Sequence, residues 1–274
     1  GGMPVLLQMS DTHFGTECPA ALEALAALWA QEQPEVLVWS GDITQRARGA
    51  EFDAARRFHA RLRPRHTVCV PGNHDIPLFN LPARLLDPYR RYHRAFGPPD
   101  DVCLSLPDLL VLGVNTTRAW RHKHGEVSAA QVERVAARLR RGTPGQLRMV
   151  VVHQPLWVTQ PQDRRNLLRG HARALSCWAE AGMQVVLSGH IHLPSIHPIA
   201  RAGAAPFAAP VWNVQAGTAV SRRVRVCRCC RCASVTLRGG RSDRCIRTSP
   251  SRPATWCLSS RRTTVRYRRR DRPR

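Results

Sequence analysis

Five short apolar runs, each ending abruptly on a polar cluster, constrain this chain more than any other feature. Val5–Met9 runs into Asp11-Thr12-His13, and Val36–Trp39 runs into Gly41-Asp42. Val68–Val70 runs into Gly72-Asn73-His74-Asp75, Met149–Val152 into His153, and Val185–Leu187 into Gly189-His190-Ile191-His192. A sixth run, Leu109–Val114, leads into a basic stretch instead. Runs of this length bounded by Gly, Asn, Asp or Ser read as buried strands. A Gly-Asn-Asp turn has backbone reasons of its own, but it has no need of His74.

Helical stretches lie between these runs. Pro19–Glu32 opens with Pro in its first turn, and Ala50–Leu62 carries apolar residues at helical spacing. Ser128–Arg141 starts with Ser128 as N-cap and Gln131 three residues on, a capping box. Arg164–Ala181 is a fourth helical segment. Strands alternating with helices predict an α/β sheet covered by helices. In open α/β sheets, ligand sites form beyond the carboxyl ends of the strands. The five strand ends therefore deliver Asp, His and Asn, and no Cys, to one edge.

Taken singly, these motifs say little. A Gly-Asp pair is an ordinary turn, and Asp-x-His is a weak signal. His-x-His after Gly says more, because alternate residues of an extended segment point the same way. Five such signals in sequence order, each after an apolar run, specify a shared site.

The set resembles the calcineurin-like metallophosphoesterase superfamily, whose motif order is D-x-H, G-D, G-N-H-[DE], H and G-H-x-H. The resemblance spans residues 3–226, taken as the metallophosphoesterase domain. "GNHD" and "GHIH" are most similar to the bacterial branch that includes class III cyclic-nucleotide phosphodiesterases, and "QAGTAVSRRVR" looks like that branch's last core strands. The resemblance implies a four-layer α-β-β-α sandwich: two mixed sheets flanked by helices, with a dimetal site at the strand C-terminal edge. Asp11, His13 and His192 would hold one metal; Asn73, His153 and His190 would hold the other; Asp42 would bridge them. Oxygen and imidazole donors without thiolate suit Mn, Fe or Zn. Such ions, about 3.5–4 Å apart, activate a bridging hydroxide and clamp the phosphoryl oxygens. They outweigh two carboxylates and that hydroxide by about one charge unit, which favours an anionic ester. His74 would be free of metal and act as general acid or transition-state donor.

One position departs from some branches. The residue three after the bridging Asp is a His-orienting carboxylate in some members and a Tyr ligand in purple acid phosphatases. Here it is Gln45. That disfavours a purple acid phosphatase and leaves the orienter of His74 open, with Asp75 either orienting it or capping the loop. The stretch "NTTRAWRHKHGEVS" carries Arg118, Arg121, His122, Lys123 and His124. Arg121, His122 and His124 are candidate substrate contacts, and a solvated basic loop is the alternative. Trp120 and Trp157 read either as stacking surfaces or as core.

The net charge of +23 suggests nucleic acid until its distribution is seen. Residues 221–274 hold 18 of the 42 Lys+Arg but 2 of the 19 Asp+Glu, and six of the ten Cys. Residues 227–274 form an atypical Arg/Cys-rich tail, expected to be poorly ordered, with only a part such as Ala233–Leu237 fit for a strand. Cys227-x2-Cys230 and Cys229-x2-Cys232 mimic zinc spacing, but Cys245 and Cys257 are too far apart to complete a ribbon. The composition is also what a shifted reading frame of a GC-rich gene yields.

No secretory signal is visible in the first ten residues, and no apolar run approaches a membrane span of about 18 residues. A cytoplasmic enzyme hydrolysing a small phosphate ester is expected, most simply a phosphodiesterase acting on a cyclic nucleotide or another small diester. The alternatives are a phosphomonoesterase or nuclease on the same site, and a nucleic-acid-binding protein using the basic tail. Oligomeric state is not legible.

Overall fold

The computed structural model describes residues 5–78, 80–199 and 211–221, together with the backbone of four strands between 235 and 268. The expected runs become strands β1 (Leu6–Met9), β2 (Val36–Ser40) and β3 (His66–Val70). An edge strand β4 (Val102–Leu106) comes before β5 (Leu109–Gly113), β6 (Leu147–Val151) and β7 (Val185–Ser188). The second sheet is completed by β8 (Ser195–Ile199) and β9 (Val211–Gln215). The helices are α1 (Pro19–Glu32), α2 (Gly49–Leu62), α3 (Leu81–Leu86), α4 (Arg90–Phe96), α5 (Ala129–Arg140) and α6 (His171–Glu180).

Beyond residue 226 lie β10 (Val235–Gly239), β11 (Asp243–Thr248), β12 (Ala254–Ser259) and β13 (Val265–Arg268). The sequence pattern predicts one strand there at most; the structure has four, and β10 pairs antiparallel with β1. The tail's side chains, its cysteines and arginines included, lie outside the described residues. So does most of "SRRVR", and "QAGTAVSRRVR" begins where β9 ends, with Gln215 as the last strand residue.

One sheet runs β13-β12-β11-β10-β1-β2-β3 and the other β4-β5-β6-β7-β9-β8. Period-2 alternation explains how they stack. Leu6, Val36, Val38, Val68 and Val70 face Leu109, Val111, Met149, Val151 and Leu187 across the space between the sheets. The intervening Leu7, Met9, Leu37 and Trp39 pack outward under α1, α2 and α4. Leu110, Leu112, Val150 and Val152 pack outward under α5 and α6. The result is the expected four-layer α-β-β-α sandwich. Strands buried on both faces read as unbroken apolar runs, with polar residues pushed to their ends.

The predicted capping box is present: Ser128 Oγ accepts from Gln131 N at 3.1 Å, and Gln131 Oε1 accepts from Ser128 N at 3.2 Å. The helix expected over Arg164–Ala181 is shorter. Pro161–Asn166 forms a 3-10 turn, and α6 starts only after Gly170, whose φ of 86° breaks the helical path.

Candidate metal centre

β1, β2 and β3 are mutually parallel, as are β5, β6, β7 and β9. Their exit loops meet at one edge. Asp11 N donates to Gly41 O, and His13 N to Asp42 O, each at 3.0 Å, so the first two loops stay zipped beyond their strands. Gly189 N donates to His153 O at 3.0 Å, and Ser10 Oγ lies 3.1 Å from Ser40 O. His190 N donates to Asp11 Oδ2 at 2.9 Å, tying the two sheets together at the site.

The backbone bends sharply where candidate ligands are aimed. Eight non-glycine described residues have positive φ, and five of them are Asp11, His13, Asp42, His190 and His192. Such conformations cost energy and concentrate at functional sites. Two glycines permit the crowding. A Cβ on Gly41, at φ 91°, would strike the His153 ring, and one on Gly72 would strike the Asp42 backbone N and carboxylate.

Three groups of side chains stand close enough to share an ion: Asp11, His13 and His192; Asp42, His153 and His190; and His13, Asp42 and His74. His192 Nε2 lies 3.1 Å from Asp11 Oδ1 and 3.2 Å from His13 Nε2. His153 Nε2 lies 3.3 Å from Asp42 Oδ1. Asp42 stands in two of the three groups, with His153 and His190 in one and with His13 and His74 in the other. Asn73 Oδ1 and His190 Nε2 are buried with no hydrogen-bond partner among the described residues. An amide oxygen and an imidazole nitrogen left in that state fit a hard or borderline cation. Asp11, His13, Asp42 and His153 form a buried floor, while Asn73, His74, His190 and His192 are half-buried at the rim.

Neighbouring groups fix the candidate ligands. His153 Nδ1 donates to Ser40 O at 2.8 Å, which aims Nε2 at the cluster. Ser10 Oγ donates to Asp11 Oδ2 at 2.6 Å. Burial raises the Asp11 carboxyl, but the His192 and His153 imidazoles outweigh it and hold it at about 2. Burial likewise opposes ionisation of Asp42, and His153 overrides it, holding that carboxyl well below the usual range. Burial pushes His13 down to about 4 and His190 to about 3. Burial would lower His153 too, but the adjoining Asp42 carboxylate lifts it to about 9.

His74 donates its backbone N–H to Asp42 Oδ1 at 2.8 Å, and its Nδ1 meets Gln45 O at 2.8 Å. The open question of its orienter therefore has a structural answer in the Gln45 main chain. Asp75 has the capping role. Its Oδ2 accepts from Ile43 N at 3.1 Å and Gly72 N at 2.9 Å, and its Oδ1 from Thr44 N and Thr44 Oγ1 at 2.8 Å.

The basic loop is less uniform than its sequence suggests. Arg121 is ion-paired with Glu126 at 2.6 Å, and Arg118 donates to Gln131 Oε1 at 2.5 Å. His122, Lys123 and His124 are exposed. Burial lowers His122, with Arg84 and His74 adding to the shift, so it lies within the field of the site. Among the described residues, no hydrogen bond or ion pair joins His124 to the cluster. Trp120 is 74% exposed, whereas Trp157 packs on the α5–α6 core. Sequence reading missed Ser10, Ser40 and Gln154. Their contributions are a hydroxyl, a carbonyl and an amide, which carry no motif of their own.

A family model described as calcineurin-like phosphoesterase matches residues 4–194. A cAMP/cGMP dual specificity phosphodiesterase of Mycobacterium tuberculosis (strain CDC 1551 / Oshkosh) is 27% identical over 203 residues, covering 69% of this chain and 61% of the relative. The chain thus spans less than two thirds of that relative's length. A dimetal phosphatase from Danio rerio shares the fold at TM-score 0.65 and 14% identity, covering 93% of this chain and 99% of that one. A purple acid phosphatase from yellow lupin (Lupinus luteus) seeds does so at TM-score 0.66 and 12% identity, covering 96% and 52%. No helix among the described residues is long and apolar enough to cross a membrane.

Proposed function

Because this chain belongs to the calcineurin-like phosphoesterase family, we propose that it is a metal-dependent phosphodiesterase acting on a small diester such as a cyclic nucleotide. The observation that carries the reading is Asp42 standing between two close-set groups at one site, with His153 and His190 in one and with His13 and His74 in the other. The similarity to a bacterial cyclic-nucleotide phosphodiesterase supports a diester over a monoester.

Asp11, His13 and His192 would hold one ion, and Asn73, His153 and His190 the other, with Asp42 shared. The donor set suits Mn, Fe or Zn. When bound, such ions supply Lewis acidity and a water made acidic enough to attack at neutral pH. The chain's own groups do the rest. Gln45 O can only accept, so it keeps a proton on His74 Nδ1 and makes Nε2 the proton-exchanging atom. The same bond, with the His74 N–H on Asp42, fixes the imidazole relative to the ligand that bridges the clusters. From there His74 is placed to protonate the departing alkoxide. Lys123 adds positive charge at the rim for the phosphate oxygens, and His122 a neutral imidazole that can hydrogen-bond to them. A cytoplasmic location goes with this reading.

A metal-loaded screen of cyclic AMP, bis(4-nitrophenyl) phosphate and 4-nitrophenyl phosphate tests the reading, with Asp42→Asn as control. The diesters should turn over fastest. The variant should lose at least one ion and nearly all hydrolysis, because an amide cannot supply the bridging charge. Undiminished hydrolysis with two ions in Asp42→Asn would refute the bridge, and turnover of the monoester alone would refute the diester.

A further inference from the structure

Arg84, on α3, is a cation buried to 8% exposure, and among the described residues no carboxylate pairs with it. Leaving a guanidinium in that state is costly unless its donors are met. They are met by three main-chain carbonyls from two segments. Nη1 donates to Pro77 O at 2.9 Å, Nε to Ala119 O at 2.5 Å, and Nη2 to Arg121 O at 2.8 Å. Pro77 lies three residues after His74, on the exit of β3. Ala119 and Arg121 lie in the basic loop that follows β5.

The loop's other end is fixed just as specifically. Gln154, next to His153, donates from Nε2 to Lys123 O at 3.3 Å and accepts from Thr116 Oγ1 at 2.7 Å. The segment 116–123 is therefore strung between the residues that follow two candidate ligands, Asn73 and His153. With Arg118 and Arg121 occupied by Gln131 and Glu126, Lys123 is the exposed cation left on it, beside the exposed imidazole of His122. One field effect agrees with this placement: His74 acts on His122.

We propose that Arg84 is a positioning residue for the phosphate ester, clamping the loop 118–124 to the exit of β3 so that His122 and Lys123 stand at the rim of the metal centre. This deepens the phosphodiesterase reading and rests on it. Arginine suits the task because its planar fork reaches three acceptors in fixed directions, which a lysine ammonium does not.

Lys123 is the chain's only lysine, so endoproteinase Lys-C cuts the full chain at one place, inside the clamped loop. Cleavage of a folded protein follows how often the loop opens. In the metal-loaded protein, Arg84→Gln should speed that cut by at least about tenfold, and Arg84→Lys by an intermediate factor. KM for bis(4-nitrophenyl) phosphate should rise at least about fivefold in Arg84→Gln while kcat falls less than about threefold, since binding rather than chemistry is disturbed. Two ions should be retained throughout. Cleavage within about twofold of wild type in both variants overturns the clamp, and faster cleavage at unchanged KM overturns its role toward substrate. If Arg84→Gln does not fold, Arg84→Lys decides on the same readouts; if neither folds, Arg84 is a global stability element and the proposal fails. Should wild type hydrolyse no phosphate ester, the diesterase reading fails on its own, and the Lys-C rates still decide the clamp.

Discussion

His74 Nδ1 sits 2.8 Å from the main-chain carbonyl of Gln45, three residues beyond Asp42, while its own N–H donates to Asp42 Oδ1. A carbonyl orients an imidazole and selects its tautomer as a carboxylate would, but without adding negative charge. The tautomer is thus set by backbone, and the side chain at that position is released from the task.

His74→Ala should keep two ions per chain yet lose rate by about 10²–10⁴, the usual worth of a positioned acid. The loss should be larger on an alkyl ester than on a nitrophenyl ester, because a nitrophenolate departs without a proton. Equal losses on both would point to stabilisation of the phosphoryl oxygens instead. Loss of an ion, measured by elemental analysis, would make His74 a ligand of the cluster it shares with His13 and Asp42.

Asp75 is expected to act through the loops rather than through His74. Its carboxylate gathers four donors from the β2 and β3 exits. Burial, with the nearby Asp42 charge, still raises its carboxyl to about 6. In Asp75→Asn the amide NH2 would face the Ile43 and Gly72 N–H groups, replacing two hydrogen bonds with donor–donor contacts. The variant should lose about 2–4 kcal/mol in chemical denaturation. It should also bind metal more weakly, since Gly72 and Ile43 flank Asn73 and Asp42. Wild-type stability would show that the staple is dispensable.

The layers were legible because β1, β2, β5, β6 and β7 are buried on both faces and so print as apolar runs. The candidate ligand set is legible because it sits where those runs stop. β4 was not, since its half-exposed, alternating Val-Cys-Leu-Ser-Leu reads as an ordinary edge segment. The short α3 and α4 carry no strong period. Gln45 and Ser40 act through carbonyls, which every residue possesses, so no side-chain pattern announces them. Arg84 escaped notice for a related reason: its partners are three main-chain oxygens, two of them over thirty residues away in sequence.

In the metal-free protein the Asp42 carboxylate, 3.3 Å from His153 Nε2, lifts that imidazole to about 9, so it is protonated at neutral pH. An ion can take Nε2 only if that proton leaves. His13 and His190, held to about 4 and about 3, are already neutral there and release none. The sign follows: affinity for the ion on Asp42, His153 and His190 should be weaker in acid and strengthen as pH rises toward 9. For one released proton the gain is about tenfold per pH unit, or about a hundredfold from pH 6 to pH 8. Calorimetric titration with Mn²⁺ in buffers of different ionisation enthalpy counts the protons, and about one should leave per ion bound at this cluster near pH 7. A buffer-independent enthalpy, with affinity flat between pH 6 and pH 8, would mean that His153 enters the site already neutral and that Asp42 does not hold its proton.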